Sequence, residues 1–369
     1  MSTPAPPAKR VNLRTPDVMA AVQAQVESHY RSEVVEKLRA TGGTLTCDGL
    51  TVRLAKQFGF CYGVERAIDL AYAAAKVFTD RRLFILGEII HNPEVNEQIA
   101  ALGIRNLIPP HQQADVEDLT AEDVVIVPAF GTDVKTLGRI KELGCQIVDT
   151  TCGDVMSVWK RVRQNASDDV TSIIHGKATH EETKATASRA VVEGKGHYLI
   201  VLTLADADYV CDFIRRGGDK GAFLEKFRGA YSEGFDPGLH LRRVGVANQT
   251  TMMRGETEEV QRRIEGAIKD RDGVEKARES FRFFDTICGA TQERQDALRD
   301  MLAAPMSLLI VVGATTARTP RTLPKWAKPN CPRTSSATPR GSNRASASRT
   351  STSTRNARSR RKAGFPSVR

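Results

Sequence analysis

Two hydrophobic periods alternate along the chain. Leu83-Phe84-Ile85-Leu86, Val124-Val125-Ile126-Val127, Gln146-Ile147-Val148, Thr171-Ser172-Ile173-Ile174, Tyr198-Leu199-Ile200-Val201-Leu202, Val244-Gly245-Val246-Ala247 and Leu308-Leu309-Ile310-Val311-Val312 are short apolar runs with the length of buried strands. Between them apolar residues recur at three- and four-residue spacing, as in Val64, Ala67, Ile68, Ala71, Ala75 and Phe78. That spacing predicts a helix with one buried face. Strands separated by such helices predict βαβ units and parallel sheets, an α/β chain. A helical pattern also runs from Asp17 to Leu38 and stops at Gly42-Gly43. Thr51 to Ala55 alternates like a strand feeding the next helix, and Arg215 to Leu239 reads as a polar, Gly-rich insertion.

Cysteines punctuate this pattern at three equivalent places. Cys61 lies in Gly59-Phe60-Cys61-Tyr62-Gly63, between an apolar segment and a helical pattern. Val148-Asp149-Thr150-Thr151-Cys152-Gly153 and Phe284-Asp285-Thr286-Ile287-Cys288-Gly289 repeat the arrangement, each followed by a helical pattern. A helix N-terminus presents unpaired N–H groups, which favour a thiolate or a bound anion. One such cysteine could be structural. Three in separate units point to a cluster or metal site rather than a disulfide framework.

In parallel sheets, ligands bind beyond the carboxyl ends of the strands. His91, His180, Glu182 and Thr250 all follow predicted strands and so share that edge with the cysteines. Each also has a plainer reading: a loop histidine holding a hydrogen bond, an acid in a first helical turn, a threonine N-cap. Their common placement favours the site.

Composition narrows the setting. With 369 residues and 40% hydrophobic content, two or three domains are expected. No apolar run has the length to span a membrane, so a soluble, cytoplasmic protein is expected. Seven cysteines in such a chain fit a reducing compartment better than a secreted scaffold. The net charge of +10 is local: residues 314–369 hold fourteen of the 54 Lys and Arg and no acid, leaving 40 basic against 44 acidic side chains elsewhere. Residues 1–16, rich in Pro and basic side chains, are expected to lack fixed structure.

These motifs together resemble the 4-hydroxy-3-methylbut-2-enyl diphosphate reductase family, in its plant and cyanobacterial wording. The resemblance is carried by Gly59 to Ala67, Glu88-Ile89-Ile90-His91-Asn92-Pro93, Asp149 to Cys152, His175-Gly176-Lys177 with His180-Glu181-Glu182-Thr183, Ala247 to Thr251, and Ile287-Cys288 with Ala290 to Gln295, in family order from about residue 15 to 313. It implies three pseudo-repeated α/β lobes in a trefoil around a 4Fe–4S cluster held by Cys61, Cys152 and Cys288. It also implies His91 and His180 as diphosphate donors, Glu182 as proton donor and Thr250 as the hydroxyl orienting substrate and acid. The substrate would be a small allylic diphosphate and the electron donor a protein such as ferredoxin or flavodoxin. Pro128-Ala129-Phe130-Gly131 stands where many bacterial relatives have an Ala-His-Gly touching diphosphate, so Phe130 is not given that role.

The wording breaks after Gly313. The family continues with Asn and Ser residues that cradle the diphosphate, whereas here Ala314-Thr315-Thr316-Ala317-Arg318 opens a stretch of Arg, Ser, Thr, Pro and Ala without apolar periodicity. Such a composition is expected to stay unfolded. Reverse translation of Ala314 through Ser336 with permitted codons, dropping two bases, yields YNSTNTAHLAEVGEAKLPTYFI. That is family-like, so a frameshift is the expected cause and activity of this chain is doubtful. The expected division is an N-terminal extension at 1–50, lobes at 51–151 and 152–286, the start of a third lobe at 287–313, and the basic tail at 314–369. Two rival functions stand beside the reductase: a non-enzymatic Fe–S redox sensor, and nucleic-acid binding through the tail's phosphate contacts. A membrane is not expected as a partner, and nucleic acid only on that last reading.

Overall fold

The computed structural model describes residues 12–312 and the backbone of Arg333–Ser336. The expectations for residues 1–11, and for the rest of the segment after 312, lie outside the described residues. The chain opens with helices α1 (Pro16–Tyr30) and α2 (Glu33–Ala40), then a hairpin of β1 (Thr44–Cys47) and β2 (Leu50–Arg53). The single helical pattern from Asp17 to Leu38 is thus two helices, parted at Arg31-Ser32, where both residues are extended. The strand expected before Cys61 also differs. It pairs antiparallel with β1, is exposed throughout, and joins no parallel sheet.

The first lobe follows: α3 (Tyr62–Val77), β3 (Leu83–Ile85), α4 (Pro93–Ala101), β4 (Arg105–Asn106), β5 (Val124–Val127), α5 (Val134–Glu142) and β6 (Gln146–Asp149). Its parallel sheet has the order β4-β3-β5-β6, and every residue of β5 is buried. Helix α3 is buried more completely than one stripe would be, with Leu70, Ala71, Tyr72, Ala73 and Ala74 all inside. Helix α1 covers its outer side while the sheet takes the other, and the alanines let both approach closely.

Helix α6 (Gly153–Ser167) leads into the second lobe and packs on its strands. That lobe comprises β7 (Thr171–His175), α7 (Glu181–Ala187), β8 (Tyr198–Val201), α8 (Leu204–Arg216), α9 (Lys220–Lys226), α10 (Pro237–His240), β9 (Val244–Asn248), α11 (Arg254–Asp272), α12 (Val274–Ser280) and β10 (Phe281–Phe283). The parallel order β10-β9-β7-β8 repeats the crossover logic of the first sheet. The Gly-rich insertion holds two short helices, α9 and α10, and its Phe223, Phe227 and Phe235 enter the second core. Asp219 and Asp236 cap them through their side chains, a signal of N-termini within a polar stretch.

Of the third lobe, α13 (Gly289–Leu302), β11 (Leu309–Val312) and β12 (Arg333–Ser336) are described, the two strands pairing in parallel. Both four-stranded sheets are parallel, and β6 and β10 run into the loops that bear Cys152 and Cys288.

Candidate functional site

Each cysteine expected at a strand-to-helix junction is the N-cap of the following helix: Cys61 of α3, Cys152 of α6 and Cys288 of α13. All three are half-buried free thiols. A methyl group built on Gly63, in the first turn of α3, would lie 2.5 Å from Cys152 Sγ and 3.9 Å from Cys61 Sγ. The two sulfurs therefore face one space, which glycine keeps open. Cys288 reaches the same neighbourhood, because Asp154, two residues past Cys152, acts on its thiol.

Hydrogen bonds lock the three loops together. The Cys152 amide donates to Ala129 O at 3.0 Å, and Arg66 of α3 reaches Thr151 O at 3.2 Å. The Cys288 amide donates to Thr250 O at 3.4 Å, and Arg294 of α13 donates to Gly59 O at 2.8 Å. Burial pushes the Cys288 thiol up to about 11, and burial also raises that of Cys152. Three soft sulfur donors around a glycine-lined space, each on a positive helix end, suit an anionic iron–sulfur cluster.

A second group of side chains lies across the interface between the first two lobes. His91 follows β3 and His180 caps α7, and their Nε2 atoms are 3.0 Å apart. Glu88 holds His91 Nδ1 at 2.8 Å, while the Glu182 amide donates to His180 Nδ1 at 3.2 Å. Phe130 lies flat against His91, with ring centroids 4.2 Å apart and planes 21° from parallel. A Glu181 carboxylate oxygen completes a group of three potential ligand atoms within 4.8 Å of one another.

Glu182 lies inside the protein, 1% exposed. The Thr250 amide, one residue past the Gln249 that follows β9, donates to its Oε1 at 2.6 Å. The other oxygen, Oε2, is buried with no hydrogen-bond partner. Burial raises this carboxyl to about 7, against the opposing effects of the Thr250 amide and hydroxyl and of His91. The register His175↔Asn248 between β7 and β9 brings the two loops level. Glu182 is thus a buried acid with an idle oxygen and a pKa near neutrality, the condition of a proton donor.

The structure gathers the seven residues read from the sequence: Cys61 and Cys152 face one space, Cys288 is tied to it through Asp154, the two imidazoles are in contact, and Glu182 is bonded to Thr250. Sequence reasoning missed the supporting residues Glu88, Gly63 and Asp154 and left Phe130 without a role. Glu88 stands three residues before His91, a spacing that could have flagged it. The others carry no local signal, since their partners come from other lobes.

Comparison with known proteins fits this geometry. Residues 52–339 match the family described as LytB protein. The chain is 47% identical over 298 residues to 4-hydroxy-3-methylbut-2-enyl diphosphate reductase of Gloeobacter violaceus, covering 80% of this chain and 70% of that one. It is 46% identical over 292 residues to the enzyme of the same name from Thermosynechococcus vestitus, covering 79% and 71%. Among solved structures, the E-1-hydroxy-2-methyl-but-2-enyl-4-diphosphate reductase from Plasmodium falciparum shares the fold, with a TM-score of 0.53 at 21% identity, over 75% of this chain and 73% of that one.

Proposed function

The chain belongs to the LytB protein family, and on that premise we propose that it is an oxidoreductase of isoprenoid biosynthesis, converting 4-hydroxy-3-methylbut-2-enyl diphosphate to isopentenyl and dimethylallyl diphosphate. The reaction takes two electrons and two protons, breaks the allylic C–O bond and releases water. Cys61, Cys152 and Cys288 would hold a 4Fe–4S cluster. When bound, that cluster supplies the electrons, and its three-cysteine ligation leaves one iron to act as a Lewis acid toward the allylic hydroxyl.

The chain's own residues do the rest. His91 and His180 hold the diphosphate through charge-assisted hydrogen bonds. Glu182 keeps its proton near neutral pH because ionising it would place a charge in the interior, and it delivers that proton to the leaving hydroxyl. Thr250 fixes the carboxyl through its amide at 2.6 Å, so the idle Oε2 is the atom presented. Electrons come from a protein of the ferredoxin or flavodoxin class in a reducing, cytoplasmic setting. Among the described residues no helix is long and apolar enough to cross a membrane.

The observation that carries this reading is the convergence of three helix-capping thiols beside a buried, half-satisfied carboxyl. It is tested by anaerobic iron and acid-labile sulfide analysis followed by single-turnover reduction of the substrate with dithionite and a viologen. Four irons per chain with product formation supports the enzyme. A loaded cluster with no product, in a chain whose third lobe is intact, supports the redox-sensor reading instead.

A further inference from the structure

The contact between His91 and His180 fixes where their protons are. A hydrogen bond between two Nε2 atoms 3.0 Å apart has one proton in it. The Glu182 amide donates to His180 Nδ1, so that nitrogen is bare and the neutral ring bears its proton on Nε2. The Glu88 carboxylate accepts from His91 Nδ1–H, so His91 meets its neighbour with a lone pair on Nε2. The proton order therefore runs from His180 to His91 to Glu88.

An anion needs the opposite of a lone pair. To give a diphosphate an N–H from each ring, His91 must gain a proton on Nε2 while Nδ1–H stays on Glu88. We propose that diphosphate binding is coupled to uptake of one proton at His91, with Glu88 and Phe130 as the positioning residues that hold the resulting imidazolium. The proposal rests on the diphosphate reading of this site. Glu88 at Nδ1 and Glu181 at 3.7 Å from Nε2 favour that cation, and the buried Glu182 carboxyl, which responds to the ring, faces it from the second lobe. Phe130 offers the flat face of its ring to His91 and only a T-shaped contact to His180, with centroids 5.6 Å apart at 79°. A stacked aromatic face stabilises a cation, so the selectivity falls on His91. Glu181 is exposed, on the solvent side of His91 Nε2.

The test uses the 369-residue chain and, beside it, the chain whose reading frame is restored after Gly313, each with 15N-labelled histidine and inorganic diphosphate as probe, at about pH 8. Without diphosphate, proton-coupled nitrogen spectra should show His180 protonated on Nε2 and His91 on Nδ1 only. At saturating diphosphate both nitrogens of His91 should be protonated, and titration calorimetry in buffers of different ionisation heat should count one proton taken up. Phe130→Leu should weaken binding about two- to fivefold, with Phe130→Tyr restoring it, and Glu88→Gln should lower the proton count toward zero. Diphosphate binding that leaves the His91 nitrogens and the proton count unchanged overturns the coupling and spares the diphosphate reading. Histidines that do not respond to diphosphate at all in the chain with the restored frame overturn both.

Discussion

The amide of Thr250 donates to Oε1 of Glu182 across 2.6 Å, and the carboxyl's other oxygen is buried without a partner. One oxygen is anchored and the other is presented. Glu182→Gln keeps the anchored acceptor and removes the acid. In a chain with an intact third lobe it should retain cluster and substrate binding but turn over roughly a hundred- to ten-thousand-fold more slowly. Parent turnover should fall as pH rises through about 7, the value to which burial lifts this carboxyl, and that limb should vanish in the variant. Rapid-mix turnover across pH checks both, and near-normal rates in the variant would remove Glu182 from the mechanism.

The same carboxyl has a stability signature. Its folded-state pKa is raised from 4.5 to about 7, so the folded state binds more protons than the unfolded state between those values. Stability should therefore decline as pH rises through that window, by a total on the order of 3 kcal/mol. Glu182→Gln should unfold at a higher temperature than its parent above pH 7 and lose the advantage near pH 4. Denaturation at matched pH values measures the difference. A variant less stable than its parent at high pH contradicts the buried-charge account.

The described cysteines divide into two sets. Cys61, Cys152 and Cys288 cap helices around the common space, whereas Cys47 is exposed and Cys145 and Cys211 are buried in strand and helix packing. Serine at any of the first three should lose iron and the brown colour in anaerobic preparations. Serine at any of the second three should keep them. Equal iron loss from both sets would refute the assignment.

Gly63 offers a subtler probe of the same centre. It is helical, so alanine there costs nothing in backbone strain and favours the helix. Its methyl group would nevertheless fall 2.5 Å from Cys152 Sγ, where something must shift. Gly63→Ala should therefore lower iron content severalfold while the far-ultraviolet circular dichroism of the apoprotein is unchanged. Full iron loading would show that the sulfur has room to move.

Much of this was legible in the sequence because the fold is built from local signals. Apolar runs such as Val124 to Val127 marked the buried strands, and glycine-flanked cysteines marked the junctions. The parallel sheets placed His91, His180 and Glu182 on one edge without knowledge of their distances. What escaped depends on contacts between distant segments. Phe130 has a role only because the loop after β5 stacks on the loop after β3. The hairpin at β1 and β2 escaped because Thr51 to Arg53 alternates like a sheet strand, yet its partner is a neighbour in sequence and both its faces meet solvent.

The last prediction concerns the change of wording at Ala314. In the third lobe Ile310 and Val312 are 58% and 66% exposed, and the described partner of their strand is Arg333–Ser336 alone. The family match runs on to residue 339, across residues that in the present frame lack apolar periodicity. We propose that one lost base near codons 313–314 separates this chain from its relatives. Exposed apolar strands favour association, so the 369-residue chain should be poorly soluble. The resemblance places Ser and Asn donors to the diphosphate in the lost segment. A hydrogen bond to a charged group contributes about 1.5–3 kcal/mol, so losing several should weaken substrate binding by orders of magnitude. Inserting one base at that point restores the reading Tyr-Asn-Ser. It should recover solubility, lower KM and raise turnover together, as sedimentation and steady-state assays would register. Resequencing across codons 308–320 decides whether the change lies in the gene. If the unaltered chain stays in solution and reduces the substrate as fast as the chain made from the restored frame, no base has been lost and the basic segment is a native part of the enzyme.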